Sequence, residues 1–186
     1  MIRALAVRTF TIFYSWQSDR GSQCCKNFIR IAADDAARRV GERLGVEIVI
    51  DADTEGVSGT PPISETILKK IGTCDLFLAD MTFVGATDQG KLLPNPNVMG
   101  EYGYALRAKG FERILLAMNT AFGPPESLPF DLHHLRHPFQ YTLEAGAADS
   151  VRRKRREALS AQLEIGIESA IAALLKAQEA PAVALR

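Results

Sequence analysis

The chain has 186 residues, 47% hydrophobic and 24% charged, and its 22 basic and 22 acidic side chains cancel to a formal net charge of zero. That length suits about one domain with a single good core, and the balanced charge leaves no overall field to draw the chain to nucleic acid or to a membrane surface. Three cysteines without CxxC spacing, Cys24, Cys25 and Cys74, point to neither a disulfide framework nor a zinc site, and the default is a reduced, cytoplasmic protein.

Residues 1–8 read as a lead into the first strand and not as a signal peptide. "FTIFYS" (10–15) is a near-continuous apolar run of the kind buried on both faces of a parallel sheet. Residues 25–45 form a helix in which Phe28, Ile29, Ala32, Ala36, Val40 and Leu44 recur at three-to-four spacing, with Gly45 as its stop. "VEIVID" (46–51) is the second strand, 52–62 a loop rich in Gly, Pro, Ser and Thr, and 63–72 a short helix with Ile63, Ile67, Leu68 and Ile71 on one face. "DLFLAD" (75–80) is the third strand, and a polar loop with Gly85, Gly90 and Pro94 leads into a helix beginning at Asn95. "RILLAMN" (113–119) is the fourth strand, 121–138 an irregular connection and "FQYTLE" (139–144) the fifth strand. A helix from about 149 to about 178 carries Leu159, Leu163, Ile167, Ile171, Leu174 and Leu175, and 179–186 is a frayed tail. No apolar run approaches the roughly 20 residues of a membrane span.

Strands alternating with helices imply an α/β fold with a parallel sheet covered on both faces. Five strands in about 145 residues predict a flavodoxin-like three-layer sandwich of strand order 2-1-3-4-5, with a long C-terminal helix. The domain is then 9–146 and the helix 147–178. In such sheets ligands bind outside the carboxyl ends of the strands. Four polar stretches fall there: Tyr14–Arg20, Asp51–Pro62, Ala79–Thr82 and the region from Asn95 to Glu101. Turn chemistry alone accounts for any one of them, but all four converge on one edge.

"NPNVMGEYGYAL" (95–106) is the most informative. Asn95 is a natural N-cap and Pro96 suits the first helical position, while Val98, Tyr102, Ala105 and Leu106 supply a buried stripe. Glu101 lies beside that stripe. An acid near a helix start gains about 0.3–1 kcal/mol from the dipole. That does not explain Gly100 and Gly103, each costing about 1 kcal/mol relative to alanine. Open space beside the carboxylate would.

Other features point to less. "RRKRRE" (152–157) spreads around a helix and reads as a solvated face or partner contact. His133, His134 and His137 have no partnered acids at metal spacing, and Asp51 and Asp53 suit turn caps, so no metal is expected. "GVSG" (56–59) lacks the GK[ST] of a phosphate loop.

"TIFYSWQSD", "DADTEGVSGTPPISETILKKIGTCDLFLADMT" and "NPNVMGEYGYAL" together resemble the bacterial TIR-like proteins, which share a wider superfamily with the nucleoside 2-deoxyribosyltransferases. The likeness spans roughly residues 9–145. It implies cleavage of the nicotinamide–ribose bond of NAD⁺, as glycohydrolase or cyclase, usually in antiphage defence, with Glu101 as the catalytic residue and no cofactor beyond NAD⁺ as substrate. Tyr14, Ser15, Trp16, Asp80, Asn97 and Gly100 are the ligand contacts it implies; Trp16 either stacks on a base or nicotinamide ring or plugs the core. The loop 52–62 would correspond to the segment through which TIR domains often assemble, so self-association is expected. A separate sensor protein or nucleotide signal would supply the trigger. Two other readings stand beside this one: a 2-deoxyribosyltransferase, and a non-catalytic module that binds a nucleotide or another TIR surface.

Overall fold

A computed structural model describes residues 7–52, 63–129, 132 and 138–179. Among the described residues, seven strands and four α-helices follow in order: β1 (Thr9–Ser15), α1 (Lys26–Leu44), β2 (Glu47–Asp51), α2 (Ile63–Thr73), β3 (Leu76–Asp80), β4 (Phe83–Ala86), β5 (Leu92–Pro94), α3 (Pro96–Lys109), β6 (Ile114–Asn119), β7 (Phe139–Tyr141) and α4 (Asp149–Glu179). Five of the strands form one sheet of order β2-β1-β3-β6-β7, and all its pairings are parallel. Leaving β4 and β5 aside, this is the expected 2-1-3-4-5 order of a flavodoxin-like sandwich. The loop 53–62, most of the segment assigned to assembly, lies outside the described residues, as do His133, His134, His137 and the tail from 180.

The layers follow from side-chain size. β1 and β3, at the centre, alternate large apolar residues between two cores. Phe10, Ile12 and Tyr14 face α1 and α4, with Leu76 and Leu78, while Phe13 and Phe77 face α2 and α3. Each such side chain, fully buried, contributes about 1.5–3 kcal/mol. Ala32, Ala33, Ala36 and Ala37 let α1 approach the sheet and α4 together, and all are buried. Gly45 ends α1 in the left-handed conformation, φ 67°, which costs a glycine no Cβ clash. Leu159, Leu163, Ile167 and Ile171 complete that core from α4. Arg39 and Arg43 of α1 pair with Glu164 of α4, the first at 2.6 Å, and Arg43 also meets Glu168 at 2.7 Å.

By length and composition α4 is apolar enough to cross a membrane, with mean hydropathy 1.4 over its most apolar stretch. That corrects the expectation that no segment approaches a span. Its apolar stripe is nonetheless spent on the sheet and α1, and its acids on arginines, which is the pattern of a core helix.

The predicted loop before α3 is another correction. Residues 83–94 form an antiparallel hairpin, with Phe83 opposite Pro94 and Ala86 opposite Leu92. Strands of four and three residues are too short to show a period. The hairpin is held by Phe83, fully buried, and rests on Gly123, whose φ of 138° and missing Cβ let Leu92 and Phe83 lie against it. The fifth strand of the main sheet is also shorter than predicted, ending at Tyr141.

Candidate active site

The hairpin delivers the chain to the carboxyl edge of the sheet, where α3 begins. Asn95 caps it as expected: Oδ1 accepts from the N–H groups of Asn97 at 2.9 Å and Val98 at 3.1 Å, with Pro96 at the first helical position. The other end of the same amide donates to Asp19 Oδ2 at 2.7 Å. One asparagine thus fixes the helix start and ties it to the loop after β1.

At 3.6 residues per turn, Val98, Tyr102 and Ala105 turn toward the sheet, and all three are buried. Glu101 falls on the shoulder of that face and is half-buried. Its Oε2 accepts a hydrogen bond from Ser15 Oγ at 2.5 Å, so the last residue of β1 and the second turn of α3 meet at the carboxylate. Asn97 lies one turn earlier on the solvent side of Glu101, and Gly100 borders the same side. Among the described residues, a Cβ built at Gly100 or Gly103 meets nothing within 4 Å. The expected open space is there, with one refinement: Gly103 projects about 160° around the helix from Glu101, so Gly100 alone flanks the acid.

The other residues expected at the site separate into different places. Tyr14 and Ser15 are adjacent on a strand and must face opposite layers. Ser15 turns to α3; Tyr14 turns to α1, 1% exposed, its hydroxyl donating to Lys26 O at 3.3 Å. Burial, then the nearby Asp80 charge, pushes its phenol well above the ordinary range. Tyr14 is a core residue, away from Glu101. Trp16 is half-buried and packs against the α1/α4 core, with the Lys26 ammonium 3.1 Å over its ring centroid. One face of the indole is thereby covered by a cation.

Asp80 is fully buried and sits beneath the edge. Oδ2 accepts from Gln17 Nε2 at 3.1 Å and Oδ1 from the Thr82 N–H at 3.0 Å. Burial raises its pKa, opposed by hydrogen bonds from Thr82 and Gln17. The network continues through Thr82 Oγ1, which accepts from the Asn119 N–H at 3.0 Å. The Asn119 amide donates to the carbonyls of Cys24 and Leu143 and accepts from the Leu143 N–H. Gln17 Oε1 in turn accepts from the Arg20 N–H at 2.8 Å. The loops after β1, β3, β6 and β7 are therefore laced together under the site.

Gln17, Asp19 and Thr82 lie in stretches that the sequence places at this edge without singling them out, and Asn119 was passed over. Their signal was available: each is polar at or just after the end of an apolar strand, on the edge where the fold puts ligands. Among the described residues no group of three or more His, Cys, Asp or Glu could hold a metal ion. A cavity of about 570 Å³ opens elsewhere, between α4, the end of α3 and the outer edge of β6, with Ile114, Leu115, Phe139 and Ile165 in its wall. It lies toward the amino end of β6, its polar lining is limited to Glu112, Ser169 and Tyr102, and Glu101 is not part of it. The convergence of polar groups, and not this cavity, marks the site.

No family model matches the chain, and no curated protein matches it. Among solved structures, it is similar to the flavodoxin-like domain of a Synechococcus sp. protein, at 12% identity and TM-score 0.45, covering 85% of this chain and 97% of that one. A diflavin flavoprotein A3 from Nostoc sp. gives 11% identity and TM-score 0.42, over 91% and 99% of the two chains. A flavodoxin from Streptococcus pneumoniae gives 12% and 0.37, over 86% and 99%. At these scores the three carry no argument about this chain; the fold stands on its own strand order.

Proposed function

We propose that this chain is a TIR-like NAD⁺ nucleosidase, a glycohydrolase or cyclase of bacterial antiphage defence, with Glu101 as its catalytic carboxylate. The observation that carries the reading is Glu101 itself: half-buried at the carboxyl edge, seated on a buried hydroxyl, with open space at Gly100. Asp80, the other acid expected to touch ligand, is enclosed by Gln17 and Thr82, and Asp19 is engaged by Asn95.

A single carboxylate placed as Glu101 is suits one kind of glycosidic bond. Ordinary glycosidases use a second carboxyl group to protonate a poor leaving group. The nicotinamide of NAD⁺ is already cationic and departs neutral, so no general acid is needed. Glu101 would orient the ribose hydroxyls and stabilise the positive charge that develops on the ribose as the bond breaks. Attack by water gives the linear product and attack by the adenine ring the cyclic one. Asn97 and Gly100 border Glu101 on its solvent side and would line the ribose. The protein would work in the cytoplasm, self-associate through TIR surfaces and respond to a separate sensor or nucleotide signal.

The test is chromatography of NAD⁺ incubated with concentrated wild type and Glu101→Gln. Wild type should release nicotinamide and the variant should be slower by about 10²–10³-fold, the loss typical of one electrostatic stabiliser. Equal release by both would remove Glu101 from the reaction. Base exchange on deoxynucleosides without nicotinamide release would make the chain a 2-deoxyribosyltransferase instead. Nucleotide binding unchanged in Glu101→Gln, with no turnover, would make it a binding module.

A further inference from the structure

Ser15 is the last residue of the central strand β1, paired to β2 on one side and β3 on the other. Its own partner across the β3 ladder is Ala79. The residue is 2% exposed, and its hydroxyl has one proton to give. That proton goes to Glu101 Oε2, at 2.5 Å, the short range of a hydroxyl bonded to a carboxylate. A ligand at the edge would find this donor already committed and buried, so direct contact with substrate is not its role.

Glu101 is placed differently. It stands on the second turn of α3, and its side chain has three rotatable bonds, so its aim depends on the groups that bond it, Ser15 among them. A mobile carboxylate is a poor electrostatic catalyst, because its stabilisation depends on being aimed before charge develops. The end of β1 supplies one fixed point, through the Ser15 hydroxyl.

We infer that Ser15 is the positioning residue of the site: its hydroxyl pins one oxygen of Glu101 to the end of β1 and so sets the orientation in which the carboxylate meets the substrate. This rests on the reading of Glu101 as the catalytic group, and it replaces the ligand-contact role that the family resemblance implies for Ser15. A hydroxyl that merely satisfied itself in the core would serve folding alone and leave the acid's chemistry untouched.

The experiment compares wild type, Ser15→Ala and Ser15→Thr by two readouts. The first is kcat and KM for NAD⁺. The second is a ¹³C NMR pH titration of the Glu101 side-chain carboxyl in the free protein, assigned from the resonance missing in Glu101→Gln. Ser15→Ala should lower kcat by about ten- to a hundredfold, as expected for losing one hydrogen bond to a charged group, with KM within about threefold. Its Glu101 titration midpoint should move to higher pH, because a donor that favours the ionised form is gone. Ser15→Thr keeps the hydroxyl and should retain the wild-type midpoint and most of kcat. An unchanged midpoint in Ser15→Ala overturns the inference, as does an effect on KM alone or an unchanged kcat in an active wild type. If wild type releases no nicotinamide, the proposed activity fails, and the titration still decides whether Ser15 governs Glu101.

Discussion

On one face of the sheet, α1 and α4 lie against each other and against the strands along most of their length. α1 alone buries Phe28, Ile29, four alanines, Val40 and Gly41. On the other face, α2 buries Thr66 and Ile71, and α3 buries Val98, Tyr102 and Ala105. Arginine–glutamate pairs lock the first layer along its rim. In the second, the corresponding length of α3 carries two glycines with open space around them. Glu101 is on the second face. The comparison teaches where each requirement is met: stability is concentrated behind the sheet, so the helix in front can give up packing to make room beside an acid.

The largest test of that division is Leu163→Ala. Leu163 is fully buried in the α1/α4 layer, and truncating it should cost about 2–5 kcal/mol in transfer and cavity terms. Chemical denaturation should show the loss, while turnover per folded molecule should stay at the wild-type level. A fall in turnover without a fall in stability would show that the two layers are not separable.

Gly100→Ala should act in the opposite sense. A methyl group there meets no atom within 4 Å, and helical alanine is better than glycine by about 1 kcal/mol. The variant should melt at a higher temperature and have lower kcat/KM, because the added group occupies the flank of Glu101. Higher stability with unchanged kcat/KM would mean that substrate does not approach along that side.

The smallest effects should appear as two pH slopes of opposite sign, both from the α1/α4 side of the sheet. Hydrogen bonding to Arg39, first, and to Arg43 holds the Glu164 carboxyl below its usual range. Its stabilisation is therefore present above the ordinary glutamate range and lost as pH falls through the folded value. With the Glu164 side chain 21% exposed and Arg39 and Arg43 35% and 42% exposed, solvent screens the pairing to about 1 kcal/mol or less, and Glu164→Gln should flatten the acid side of a urea-midpoint profile. Asp80 is raised by burial. Its contribution is fully present below the ordinary aspartate range and is lost as pH rises through the folded value. Asp80→Asn should remove that decline, at the cost of its bond from Gln17. Parallel slopes in the two variants would refute the assignment.

The order of the parallel strands was legible because five apolar runs alternate with helical periods, and right-handed crossovers leave few ways to arrange them. The start of α3 was legible because Asn95 and Pro96 are chemically suited to their positions. Glu101 stood out because two glycines beside it have no helical purpose. The hairpin at 83–94 was not legible, since its strands span two periods of alternation at most. The placement of Asp80 was half legible. Its position at the end of β3 follows from the pattern, but not its enclosure, because that depends on Gln17, which reaches it from 63 residues away in sequence. Tyr14 shows a different lapse: strand alternation already requires it and Ser15 to face opposite ways.

The polar lacing beneath the site has a consequence for motion. Loops that end at solvent can open singly, each at little cost. Here Gln17, Asp80, Thr82, Asn119 and Leu143 bond to one another in buried surroundings. Releasing any one loop leaves buried donors or acceptors of its neighbours unpaired, at about 1–3 kcal/mol for each group. The four connections are therefore a single stiff plate. Any breathing that admits a substrate falls to segments outside the plate; among the described residues, the turn of the hairpin at residues 87–91 is exposed.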